Sequence, residues 1–222
     1  MNNTGLDDST VLATGAAGLG ADLAHYLADD AVLVVVAVLL MVLLILILTL
    51  RALAAPLYLL ASVVLSCAAA LGLTTLVFQH IKGDSGLIFI LPIYIYLFVV
   101  ALGTDYNILM IARLREEARE GRSPRDAAGM AIRHAGPTVA AAGLILTGTF
   151  ASLMLAGNST LTQMGFAISC GIAIVAFVMS LFLTPAITAL LGHAAWWPGH
   201  GDEKTPKQLA EVPEEPHTPV AP

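Results

Sequence analysis

Four neighbouring polar side chains, Thr104, Asp105, Tyr106 and Asn107, sit inside the apolar run LIFILPIYIYLFVVALGTDYNILMIAR, and a further hydroxyl, Thr147, lies in a later apolar run. A carboxylate in hydrocarbon costs roughly 2.5–3.5 kcal/mol on insertion scales, so a chain that keeps one there usually has a use for it, most often a proton or ion relay. Low dielectric favours the protonated form of a carboxyl group, as a proton carrier needs. The plainer reading is a helix-end carboxylate that snorkels to water or pairs inside a bundle. Asp105 lies eight residues before Arg113, about 12 Å along a helix at ~1.5 Å per residue, which is too far for so short a side chain. Asp105 is therefore the proton-relay candidate and Tyr106 its hydrogen-bonding neighbour, with Thr104, Asn107 and Thr147 as lesser polar neighbours. Successive helical residues point about 100° apart, so Asp105 and Tyr106 cannot both aim at one spot. Thr147 and Thr149 could reach a neighbouring helix or bond back to their own helix carbonyls.

The apolar runs hold no His/Cys metal spacing, no Ser-His-Asp arrangement and no second carboxylate. No catalytic residue, metal ligand or cofactor is expected, and the chain does not read as an enzyme. An intramembrane aspartyl protease needs two acids in separate spans, and Asp105 stands alone. Gly15 to Gly20 (GAAGLG) follows no strand pattern and fits neither standard phosphate-binding fingerprint.

The elements that must carry these residues are membrane helices. The 222 residues are 58% hydrophobic and only 12% charged, with a mean hydropathy of +0.84; soluble domains run at about 45–50% apolar and about 25% charged. Five segments, 31–50, 56–81, 87–112, 137–156 and 161–191, each reach the ~20 residues that span a bilayer as helix. The expected class is an all-α integral membrane bundle of five transmembrane helices over 31–192. A polar segment, 1–30, precedes it, expected outside the cell as the end of a truncated outer domain. A Pro- and Glu-rich tail, 193–222, follows, expected to be disordered in the cytoplasm. No Lys or Arg precedes Ala31, so the front is not a secretory signal peptide. The acids behind the net charge of −6 gather in the two polar ends, and neither end is basic enough for nucleic acid. Cys67 and Cys170 sit in apolar runs as small hydrophobes.

Six Arg (113, 115, 119, 122, 125 and 133) lie between the third and fourth runs, and Arg51 follows the first. The positive-inside rule puts that side and the C-terminus in the cytoplasm and the N-terminus outside. Ser123-Pro124-Arg125-Asp126 reads as an N-cap, a Pro at N1 and an acid in the first turn. It predicts a short amphipathic cytoplasmic helix ending near Gly136-Pro137. The run REEARE (115–120) reads as a solvated extension of the third span. Small residues at four-residue spacing, Ala68 with Gly72, Gly148 with Ser152, and Gly165 with Ser169 and Ala173, read as close helix contacts, the last set against the third span. Trp196-Trp197-Pro198 reads as an interfacial anchor and stop.

The segment GTDYNILMIARLREEAREGRSPRDAAGMAIRHAGPTVAAAGLILTGTFASL, with LTPAITALLGHAAWWPG further on, resembles the MMPL family of the RND transporter superfamily over about residues 10–199. Its most specific parts are Asp105-Tyr106, the Arg113/Glu116/Glu117 start of the loop, and Trp196-Trp197-Pro198. The resemblance implies twelve spans in two related halves, each half one helix, a large outer domain and five helices. It implies export of lipids or other hydrophobic compounds driven by proton-motive force, with an Asp-Tyr pair in each half carrying the proton. The match corresponds to the last five helices of the second half. The expected setting is a multi-pass bacterial plasma-membrane protein. Its expected partners are the bilayer, the N-terminal half of the transporter or a separately encoded equivalent, and a hydrophobic or lipid substrate. The alternative is a non-transporting membrane module, or remnant, in which Asp105 is idle.

Overall fold

The computed structural model describes residues 16–83 and 86–198, with side chains from residue 32 onward; residues 1–15 of the outer segment expected over 1–30, and most of the tail expected over 193–222, lie outside the described residues. The chain divides into two compact units, Met1–Leu39 and Leu40–Pro222. The first unit holds the front of helix α1, which runs over Ala16–Leu50.

The second unit is a helical bundle, and no strand occurs among the described residues. It contains the end of α1, then α2 (Ala54–Ile81), α3 (Leu91–Arg119), α4 (Pro124–Ala156) and α5 (Ser159–Trp196). With the stretch Val32–Leu50 of α1, five helices are long and apolar enough to cross a membrane. The α5 span of 38 residues is about 57 Å at ~1.5 Å per residue, against ~30 Å of hydrocarbon. Leu40, Met41, Leu44, Leu65, Leu97, Leu144, Ile145, Phe182 and Leu190 face outward, as lipid-facing side chains do when helix association has no hydrophobic drive.

Two departures from the sequence expectations bear on the site. The helix that starts at Pro124 is capped as expected: Ser123 Oγ accepts from the backbone N–H of Asp126 at 3.2 Å. It does not stop at Gly136-Pro137 but continues through Pro137 to Ala151, so the amphipathic turns and the fourth span are one helix. Pro137 removes one backbone N–H, a loss that membrane helices absorb because neighbouring groups satisfy the freed carbonyl. The second departure is Glu117, in the run expected to be solvated, which is 1% exposed.

Close packing also falls where spacing alone did not put it. A Cβ on Gly165 would lie 2.8 Å from the carbonyl of Phe150 and 2.9 Å from Leu153 Cβ, so this glycine meets the fourth span and not the third. Ser169 joins the same seam, donating to the carbonyl of Thr147 at 2.9 Å. Gly72 and Gly148 have nothing within 4 Å of such a Cβ, and Ala68 and Ser152 are exposed. The α3–α5 contact rests instead on Gly103, whose Cβ would meet Val175 at 2.7 Å, and on Gly171, whose Cβ would collide with Val99.

The core forms two apolar clusters. One gathers Leu46, Leu50, Leu59, Met110, Ile111, Leu114, Ala131 and Trp196. The other gathers Ile95, Val99, Val139, Ile168, Ile172, Val175 and Met179, with Tyr106 at its edge. Trp196 is thus core, while Trp197 is 64% exposed. Along α2, α3 and α5 alike, buried polar residues lie between the two clusters: Ser62 and Ser66, Asn107, and Ser180, Thr184 and Thr188. That layer positions the site.

Candidate functional site

Helix α3 presents two faces. Val99, Gly103, Tyr106, Asn107, Met110 and Ile111 turn inward, while Ile93, Leu97, Ala101, Asp105 and Leu109 form an exposed stripe at four-residue spacing. Asp105 therefore looks away from its own bundle, and Tyr106, about 100° round the helix, looks into it. Tyr106 is 7% exposed, and its hydroxyl has no hydrogen-bond partner among the described residues. Leaving such a buried group unmatched typically costs about 1–3 kcal/mol. Thr147 Oγ1 on α4 is likewise buried and unmatched. Thr104 returns its hydroxyl to the carbonyl of Val100 at 2.6 Å, and Thr149 does the same to Ile145 at 2.7 Å. The five sequence candidates do not converge on one point.

Asn107 is where polar chemistry does converge. Its Oδ1 accepts from Ser180 Oγ at 3.0 Å and from Thr184 Oγ1 at 3.1 Å. Its Nδ2 donates to Ser62 Oγ at 3.1 Å, and Ser62 in turn donates to the carbonyl of Leu59 at 2.7 Å. Asn107, Ser62, Ser180 and Thr184 are each no more than 3% exposed. The layer extends through Thr188, which donates to the carbonyl of Thr184 and lies 2.7 Å from the Tyr58 hydroxyl. One amide side chain thus ties α2, α3 and α5 together two residues from Asp105.

A local irregularity makes this convergence possible. Gly171 faces Val99 and Val175 faces Gly103, so a strict four-residue repeat would next bring Met179 to Asn107. The stretch Ile174–Leu183 is instead a π-helix, and Ser180 arrives there, one residue on. Wide turns of this kind are rare and gather at functional sites. Ser62, Ser180 and Thr184 were not singled out from the sequence; the available signal was the spacing of four within apolar spans, Ser62 with Ser66 and Ser180 with Thr184.

A second polar cluster sits at the Arg-rich ends of α3 and α4. The buried carboxylate of Glu117 has Arg113 Nη2 at 3.0 Å and His134 Nδ1 at 2.9 Å from its Oε1, with Arg122 Nε at 3.0 Å from its Oε2. Arg113 also pairs with Glu116, and Arg122 donates to Glu120 at 3.1 Å. A carboxylate this deep survives only when paired in this way. Beside it, Leu109, Ala112, Arg113, Glu116, His134 and Thr138 line an open groove of about 430 Å³. No cluster of His, Cys, Asp and Glu able to hold a metal occurs among the described residues.

Five apolar helices with a polar layer between two cores define a multi-pass membrane protein. The model of the MMPL family matches residues 2–211, and the chain belongs to that family. It is 44% identical to a membrane protein of Streptomyces coelicolor, SCO5905, over 87% of its own length. It is 40% identical to the acyltrehalose exporter MmpL10 of Mycobacterium tuberculosis over 89%, and 35% identical to the transport protein MmpL12 of the same species over 94%. The chain spans only 23%, 20% and 18% of those three relatives.

Proposed function

We propose that this chain is the C-terminal membrane part of an exporter of lipids or other hydrophobic compounds, driven by proton-motive force. Asp105 is its proton site and Tyr106 the neighbour that completes the pair, with Thr104, Asn107 and Thr147 as the polar surroundings. The Arg-rich ends of α3 and α4 face the cytoplasm of a bacterial cell, and the chain works against the rest of the transporter.

The observation that carries this reading is the outward aim of Asp105. A carboxylate turned to lipid at mid-span costs roughly 2.5–3.5 kcal/mol, and no basic side chain stands beside it on the stripe Ile93, Leu97, Ala101, Asp105 and Leu109. A second protein surface laid over that stripe removes it from lipid and gives it a hydrogen-bonding counterpart. The sides of such an interface alternate in access as the halves move. A membrane potential supplies ~2.3 kcal/mol per charge per 100 mV to drive the cycle.

The test is Asp105→Asn in the assembled transporter, which keeps size and hydrogen bonding while removing the titratable charge. Normal assembly with loss of proton-driven export supports the proposal. Export that still follows the pH gradient rules out Asp105 as the relay and favours an idle carboxylate.

A further inference from the structure

We infer that the groove between the Arg-rich ends of α3 and α4 is the cytoplasmic proton exit, with His134 as the group that takes the proton from the groove and hands it to bulk water. This deepens the reading of Asp105 as proton site and rests on it, together with the cytoplasmic placement of the Arg-rich side.

The groove begins at Leu109, one turn below Asp105 on the same exposed stripe of α3, and passes Ala112 to reach Arg113, Glu116 and His134. Leu109 is about 6 Å along the helix from Asp105, and Arg113 about 12 Å. The groove, about 430 Å³ and open along one side, can hold water between Leu109 and Glu116, and Asp105 lies one turn beyond its lining. Leu109, the next stripe residue toward the groove, is apolar, so the first titratable groups on this path are those around His134.

The geometry at His134 is that of a proton exchanger. Its Nδ1 lies 2.9 Å from Glu117 Oε1, an acceptor, and 3.1 Å from Arg113 Nη2, a donor. Arg113 Nη2 and Glu117 Oε1 are themselves 3.0 Å apart. With a proton on Nδ1, the ring donates to Glu117. Without it, the Nδ1 lone pair accepts from Arg113. Either state is hydrogen-bonded without moving the backbone, and the ring stays 46% exposed for exchange with water. The charged groups around it are Arg113, Glu116, Glu117 and Glu120 on α3 and its end, Arg122 in the following turn and Arg133 adjacent on α4, three cations and three carboxylates. The three carboxylates offset the barrier that the arginines alone would raise to a passing proton. The step is a plain transfer: Asp105 releases H⁺ to groove water, His134 accepts it on the ring and releases it to the cytoplasm.

Two measurements test this. The first is water access, in a Cys67→Ala/Cys170→Ala chain labelled in inverted vesicles with a charged, membrane-impermeant methanethiosulfonate. Leu109→Cys and Ala112→Cys should react at least tenfold faster than Leu97→Cys, two turns to the other side of Asp105. An inert Leu109→Cys and Ala112→Cys pair overturns the exit. The second is proton flux in inverted membrane vesicles of the native host, with its own copy of this chain deleted and replaced by each variant. His134→Ala should slow flux about tenfold or more, and millimolar imidazole buffer should restore it, as a shuttle in solution can replace a proton acceptor but not a structural brace. Parental flux in His134→Ala, or a loss that imidazole does not repair, overturns the role of His134. Asp105→Asn separates the two levels. If it conducts like the parent, the underlying relay reading fails; if it is inactive and His134→Ala is unimpaired, the exit alone fails.

Discussion

Removing the Asn107 side chain should loosen the bundle by a predictable amount. Asn107→Ala deletes three buried hydrogen bonds, to Ser62, Ser180 and Thr184. Side-chain hydrogen bonds between membrane helices average about 0.6 kcal/mol each, so the three together come to about 2 kcal/mol. The stranded hydroxyls have a fallback that keeps the cost from rising much further. Ser62 already donates to the carbonyl of Leu59, and Ser180 and Thr184 can turn to their own helix carbonyls, as Ser66, Thr74 and Thr104 do. Two kcal/mol is about a 30-fold shift in the folding equilibrium, measurable by SDS titration or steric trapping of the purified chain in bicelles. Thr104→Ala is the control, since its hydroxyl serves only Val100, and it should stay within about 0.5 kcal/mol of the parent. A second change, Ser180→Ala, should cost less in the Asn107→Ala background than in the parent, because the bond it removes is already gone. An Asn107→Ala chain as stable as the Thr104→Ala control, or full additivity with Ser180→Ala, would refute the claim that this amide joins α2, α3 and α5.

Gly165→Leu should destabilise the fold by at least the ~1–3 kcal/mol typical of overpacking, whereas Gly72→Leu, with nothing within 4 Å of its Cβ, should be near neutral; the same unfolding titration checks both. Glu117→Ala leaves Arg113 and Arg122 without their buried partner. Because their side chains are 31% and 39% exposed, the loss should be about 1–3 kcal/mol, below the ~3–5 typical of a fully buried pair. A cysteine at Ser159 should react with an impermeant thiol reagent from outside intact cells and one at Ser123 only after the membrane is opened; the reverse pattern would overturn the orientation.

Much of the architecture was legible because lipid imposes few solutions. A run of twenty or more apolar residues, as at Ala31–Leu50 or Leu87–Ala112, has little choice but to be helix, and Ser123-Pro124 announces its cap chemically. Pro137 misled because a proline after glycine usually ends a helix in water, while in α4 the span simply passes through it. Glu117 misled for a related reason: in REEARE its neighbours Glu116 and Glu120 are solvated, and the middle carboxylate is buried by partners from elsewhere, Arg122 in the following turn and His134 on a different helix. Asp105 was visible as a charge out of place, and its roughly right-angled divergence from Tyr106 follows from helical geometry alone. The Asn107 hub was not visible in this way. Single hydroxyls in membrane spans usually satisfy themselves, and which of them do not depends on a π turn in α5 that no local residue pattern announces.

The reciprocal seating of Val99 against Gly171 and Val175 against Gly103 has a mechanical meaning. Two keys cut on successive turns, one on each helix, behave like meshed teeth: α3 cannot creep along α5 by a fraction of a turn, since both valines would have to climb out of their notches together. The next available seat is a whole turn away, a step of about 5.4 Å, with bulkier side chains waiting there. Short of such a ratchet step, the two notches leave α3 and α5 no freedom to shear past one another, so any displacement of one carries the other with it.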